Sequence, residues 1–132
     1  MTGDFDGDGH LDIATANTQR DDGDTVSIFL GAGDGTFDDD NKVDITTSEG
    51  PFSLLTFDAD GDGDLDLAVA TFTGNINIFL GDGEGEFTAD STFSTGNGSD
   101  FFITVGDVDN DGDLDLVSSD FSGATASVFL NE

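Results

Sequence analysis

The sequence predicts an all-β protein built from repeated four-stranded antiparallel meanders, and three observations carry that prediction. An acidic segment returns three times, as DFDGDGHLDIA from Asp4, DADGDGDLDLA from Asp58 and DVDNDGDLDLV from Asp107, with starts 54 and 49 residues apart. A second block trails each copy: VSIFLGAGDGTF from Val26, INIFLGDGEGEF from Ile76 and ASVFLNE from Ala126. Between these landmarks the apolar residues alternate, as Leu65, Leu67 and Val69 do, or form short runs, and no window shows a 3.6-residue stripe or a capped helix.

The middle repeat defines the unit. FSLLTF (52–57) reads as a strand, the acidic loop follows, LDLAVAT (65–71) and NINIFLG (75–81) are the next two strands, and a weaker strand lies near GEFTADS (85–91). Repeat 1 covers about 1–45 and lacks a leading strand. Repeat 2 covers about 46–95, and repeat 3 about 96–132 without a last strand. The extra length of the first repeat falls in NTQRDDGD (17–24), a polar hairpin loop of the kind that tolerates insertion.

Four strands in about fifty residues is the size of one β-propeller blade. The expected architecture is therefore a single repeat domain, 1–132, of two and a half to three blades. Propellers have about 4–8 blades, and an open stack leaves strand edges uncovered. Closure is expected from a homo-oligomer or from neighbouring blades of a longer chain.

Composition narrows the partners. Thirty Asp and Glu face only Arg20 and Lys42, giving a formal charge of -28, which disfavours nucleic acid and anionic membranes. Thirteen Phe at matched places distinguish the chain from an acidic disordered segment. No apolar run is long enough to span a bilayer, and the absence of Cys leaves no disulfide framework. The acidic excess beyond the loops is that expected of a halophilic protein, whose surface repulsion is screened in molar salt.

Each acidic loop has Asp at positions 1, 3, 5 and 9: Asp4, Asp6, Asp8 and Asp12; Asp58, Asp60, Asp62 and Asp66; Asp107, Asp109, Asp111 and Asp115. Position 6 is always Gly, and position 4 is Gly7, Gly61 or Asn110, residues that accept positive φ. Alternate oxygens of such a turning backbone aim at one hard cation. Two carboxylates about 4 Å apart repel by roughly 4 kcal/mol at an effective dielectric of 20, so three or four need a counterion. Position 7 varies among His10, Asp64 and Asp113, as suits a residue that contributes its backbone carbonyl. Position 8 is always Leu, expected to anchor the loop in the core. Calcium, with 6–8 oxygen ligands and tolerant geometry, fits better than magnesium, and zinc lacks its Cys and His ligands. About three Ca²⁺ per chain are expected.

An EF-hand would need Glu at position 12, where this chain has Thr15, Val69 and Ser118. Thrombospondin-type repeats rely on disulfides. The loops, together with FLGAGDGTF and FLGDGEGEF, resemble FG-GAP and VCBS-type repeats, the calcium-loop blades of integrin α-chain-like propellers. The resemblance covers nearly the whole chain and implies calcium held by the first, third, fifth and ninth loop residues. It also implies an extracellular or cell-surface recognition module with a protein or glycan ligand. An alternative is a non-catalytic part of a secreted polysaccharide-active enzyme, or a fragment or designed chain that only binds metal and assembles. No catalytic residues are expected: His10 is the single histidine, and GxSxG, a Cys nucleophile and a phosphate loop are all absent.

Overall fold

A computed structural model describes residues 1–18, 24–37, 40, 42–47, 50–95, 100–120 and 123–131. Its eleven described strands form three antiparallel sheets in chain order. The first holds β1 (Thr2–Gly3), β2 (Asp12–Asn17), β3 (Thr25–Phe29) and β4 (Val43–Thr46). The second holds β5 (Pro51–Phe57), β6 (Asp66–Thr71), β7 (Asn75–Gly81) and β8 (Phe87–Ser94). The third holds β9 (Asp100–Gly106), β10 (Asp115–Asp120) and β11 (Thr125–Phe129). Each sheet is an open meander in which sequence neighbours pair, as expected for partial propeller blades.

Two strands differ from the sequence expectation. The first repeat keeps a remnant of its leading strand, because Thr2 and Gly3 pair with Ile13 and Asp12 and the Met1 ammonium donates to the Ala14 carbonyl at 2.9 Å. The fourth strand of the second repeat runs on to Ser94, beyond the stretch read as a weak strand. Its residues are exposed or half-buried throughout, so its ladder to β7 orders it while its apolar pattern stays faint. Most of the polar loop in the first repeat, 19–23, lies outside the described residues.

The period-two pattern places one core on each side of the middle sheet. Leu67, Val69 and Phe79 meet Ala14, Val26, Ile28 and Ile45 of the first sheet in one cluster. Ala68, Ala70, Ile76 and Ile78 project the other way and join Phe57 and Leu116 in the second, with Ile103, Val105 and Phe129 packed against it. β6 is therefore buried at every residue, which is why its sequence is a nearly unbroken apolar run instead of a clean alternation.

The invariant Leu of loop position 8 does not anchor every loop. Leu65 packs on the first core cluster, but Leu11 is 65% exposed and Leu114 39% exposed. The side chain faces the preceding sheet, so Leu65 reaches Gly3 and Phe5, and Leu11 has no sheet beside it in this structure. Replacing Leu67 by Ala should lower stability by about 2–5 kcal/mol, whereas Leu11→Ala should change it by no more than about 0.5 kcal/mol. Urea denaturation of both variants measures the contrast.

Candidate metal centre

Each acidic loop joins the first two strands of its repeat, and its shape is set by a ladder of Asp side chains bonded to nearby backbone N–H groups. In the second loop Asp58 accepts from Gly61 at 2.7 Å and Gly63 at 3.1 Å, Asp60 accepts from Asp62 at 3.2 Å, and Asp62 accepts from Asp64 at 2.9 Å. The other loops repeat most of it: Gly9 donates to Asp4, Asp8 to Asp6 and His10 to Asp8, while Asn110, Asp111 and Asp113 donate to Asp107, Asp109 and Asp111. The ladder forces left-handed backbone at positions 4 and 6, with φ of 71° and 86° at Gly7 and Gly9, 80° and 99° at Gly61 and Gly63, and 67° and 106° at Asn110 and Gly112. A side chain there is strained, which accounts for Gly or Asn at both.

These turns draw carboxylates together. Asp4, Asp6 and Asp8 each offer an oxygen within 4.8 Å of the others, and so do Asp58, Asp60 and Asp62. In the third loop the group is Asp107, Asp109 and Asp115, with Asp111 outside it. Asp12 and Asp66 stay outside the first two groups. The position-7 residues send their side chains elsewhere, His10 against Gly33 and Asp64 against Gly83, while Asp113 is exposed.

The ninth-position aspartates hold a second role that the spacing did not reveal. Asp12, Asp66 and Asp115 are essentially fully buried. One oxygen accepts from position 2 of its own loop: Phe5 at 2.7 Å, Ala59 at 2.6 Å and Val108 at 2.8 Å. The other accepts from a residue at the end of the repeat's third strand or two positions past it: Gly31 at 2.7 Å, Gly81 at 2.8 Å and Asn131 at 3.0 Å. The signal was present in the recurrent FLG, FLG and FLN. Glycine serves there for close approach, since a Cβ on Gly31 or Gly81 would overlap the carbonyl oxygen of Leu11 or Leu65.

The electrostatics fit a cation. Burial, reinforced by the charges of Asp60 and Asp62, pushes the Asp66 carboxyl above the ordinary aspartate range despite its two N–H donors. Asp6 and Asp109 move the same way, again through desolvation first and neighbouring aspartates after. Asp4 Oδ1 is buried with no hydrogen-bond partner, whereas its counterparts on Asp58 and Asp107 accept from position 4. Clustered acidic oxygens, an orphaned carboxylate atom and carboxyls pushed above the ordinary aspartate pKa form a donor set able to hold a hard metal ion.

A family model described as FG-GAP-like repeat matches residues 4–69 and again 58–118. The chain belongs to the FG-GAP-like repeat family. Both matches contain two acidic loops, so the family pattern spans the same geometry described above. No curated protein and no solved structure matches the chain. Among the described residues, no helix of this FG-GAP-like repeat chain is long and apolar enough to cross a membrane.

The raised carboxyls fix a sign for pH dependence. A native pKa above the unfolded value means that the native state holds more protons, so the contribution is full below the unfolded pKa and is lost as pH rises through the native one. Asp44 is lowered by Lys42 and Ser27, and Asp34 by Thr36; these favourable contributions are lost only as pH falls below the ordinary aspartate value. Metal-free protein, kept in chelator, should therefore melt at a higher temperature at about pH 5 than at about pH 7. A calorimetric pH series at constant salt checks the order.

Proposed function

We propose that the chain is a calcium-binding propeller module with a structural and recognition role, and that it is not an enzyme. The observation that carries this reading is the recurrence of one loop in three copies, each gathering three carboxylate oxygens within 4.8 Å. Positions 1, 3, 5 and 9 would hold the ion, with the backbone carbonyls of His10, Asp64 and Asp113. When bound, Ca²⁺ supplies the positive charge that offsets the carboxylate repulsion within a loop. The chain itself supplies the rest: the Asx-turn ladder orients the first three ligands, and the buried ninth Asp ties the loop to the hairpin behind it. Filling the loops therefore couples to strand register and to folding.

FG-GAP-like repeats are typically extracellular modules, and the same setting is proposed here, with adhesion-like binding of a protein or glycan. Extracellular calcium modules commonly bind at about 10⁻⁴–10⁻³ M, so the loops would fill outside a cell and empty inside it. Three Ca²⁺ would cancel only six of the 28 excess negative charges. The remaining acidity supports a halophilic source, because at 1 M salt the Debye length falls to about 3 Å.

Calorimetric titration of chelator-stripped protein with Ca²⁺ should give about three sites per chain, and Asp60→Ala should lose one of them while leaving the others saturable. Three sites retained by that variant would overturn the ligand assignment. At fixed saturating calcium, the melting temperature should rise between low and molar KCl; a flat or falling response would remove the halophilic proposal.

A further inference from the structure

The first acidic loop lies under a turn of the second repeat, and residues 4–12 of the loop and 81–87 of the turn are all described. The turn crosses the loop at positions 3 and 4. A Cβ on Gly7 would stand 3.3 Å from the Gly83 carbonyl oxygen, and one on Gly85 would stand 3.6 Å from the Asp6 Cβ. Phe87, the first residue of β8, meets Phe5 edge-on, with ring centroids 5.8 Å apart and planes at 74°. Phe5 is loop position 2, set between Asp4 and Asp6, and is buried. Leu65 of the second loop packs on the same cluster. The second repeat thus grips the first loop on both sides of Asp6.

Bonding inside the loop differs at that crossing. In the second and third loops the position-4 N–H, from Gly61 or Asn110, donates to Oδ1 of the first Asp at 2.7 and 2.6 Å. In the first loop Asp4 Oδ1 is buried and accepts no hydrogen bond, although Asp4 still accepts from Gly9 through Oδ2 at 3.0 Å. A buried carboxylate oxygen without a donor is costly, and a cation would offset that cost. The contacts of the turn and the unbonded oxygen fall within one four-residue stretch, Asp4–Gly7.

We propose that the Gly83–Phe87 turn of the second repeat is part of the first metal centre: it positions Asp4 and Asp6 for a cation and is itself seated when the loop is filled. The inference rests on the calcium reading above and adds to it a coupling between repeats. Gly83 and Gly85 set how closely the turn approaches Gly7 and Asp6. Phe87 holds Phe5, and through it the backbone between the two aspartates, which makes it a positioning residue for the site. Coupling free energy is reciprocal, so a turn that tightens the site is tightened by filling it to the same extent. The first loop therefore ties sheet to sheet, whereas the bonds of Asp12 tie parts of one repeat.

The test follows the amide resonances of Gly9, Gly63 and Gly112, the position-6 glycine of each loop, while the chelator-stripped full chain is titrated with Ca²⁺. Each site is then read separately. Phe87→Ala should weaken the Gly9 transition about two- to tenfold, the range of one aromatic contact. The Gly112 transition should stay in place, because Phe87 packs on the first core cluster and Leu116 of β10 belongs to the second. Phe87→Leu should restore most of the loss. In the reverse direction, Asp6→Asn keeps the Cβ that faces Gly85 while weakening the first site. At saturating calcium it should speed hydrogen exchange at Glu84 and Glu86, whose N–H groups donate to Asp82, by a similar factor, and this measurement decides the matter even where Phe87→Ala fails to fold. A Gly9 transition unmoved by Phe87→Ala, or moved together with that of Gly112, would overturn the coupling while leaving calcium binding intact, as would unchanged exchange in Asp6→Asn. Three glycines that do not respond to Ca²⁺ would remove the calcium reading and the coupling with it.

Discussion

The fold hangs on a buried carboxylate with two N–H donors. In each repeat the ninth loop Asp sits at the start of a strand, bonds the second residue of its own loop and bonds a residue at the end of the next strand or two positions past it. One side chain thereby fixes where the loop begins, where the strand begins and where the outer hairpin must pass. Deleting a buried acceptor of this kind would leave two buried donors unsatisfied, each at about 1–3 kcal/mol. The glycine at the far end follows from the same bond, since the hairpin must approach the loop more closely than a Cβ allows.

That arrangement also explains how a chain with so much negative charge tolerates three of its carboxylates in the interior. Burial opposes ionisation, as the raised pKa of Asp66 shows, but the donors are backbone dipoles that remain in place at any pH. The repulsion that is not answered lies in front of the loop, where positions 1, 3 and 5 converge in the first two repeats and positions 1, 3 and 9 in the third, with Asx-turn donors behind them. The ninth Asp is stabilised from within the fold in all three repeats, and in the third it also joins the group that a cation would neutralise. Elsewhere on the described surface Lys42 answers Asp44 at 2.8 Å.

The parts legible in the sequence were those determined within one repeat. The Asp–Gly spacing declared the loop, and the left-handed backbone at Gly61, Gly63 and Asn110 followed from the residue types. The strand content of LDLAVAT and NINIFLG was equally local, since a short apolar run bounded by turn residues is what a strand covered on both faces leaves in the sequence. The double duty of Asp66 was hidden because its second partner, Gly81, is fifteen residues away and reads as an ordinary turn glycine. β8 was underestimated because an outer strand with only Phe87 and Phe93 packed on the cores has little apolar pattern to show, and its pairing to β7 supplies the rest of its order.

What a repeat cannot encode by itself is its neighbour. Leu11, Leu65 and Leu114 occupy one position in one motif, with the same loop in front and the same strand behind. Their exposures differ because burial at this position depends on the preceding sheet: Leu65 has the whole first sheet, including Gly3 and Phe5, while Leu114 looks onto an open groove. The same logic governs position 2, where Phe5 is covered by Phe87, whereas Ala59 packs on the second cluster and its carbonyl accepts from the Asn131 side-chain amide at 3.1 Å. Motif identity therefore fixes the metal loop, and stacking order fixes the core. A residue in such a chain can be assigned its local geometry from the repeat alone, but its contribution to stability only once the sheet beside it is known.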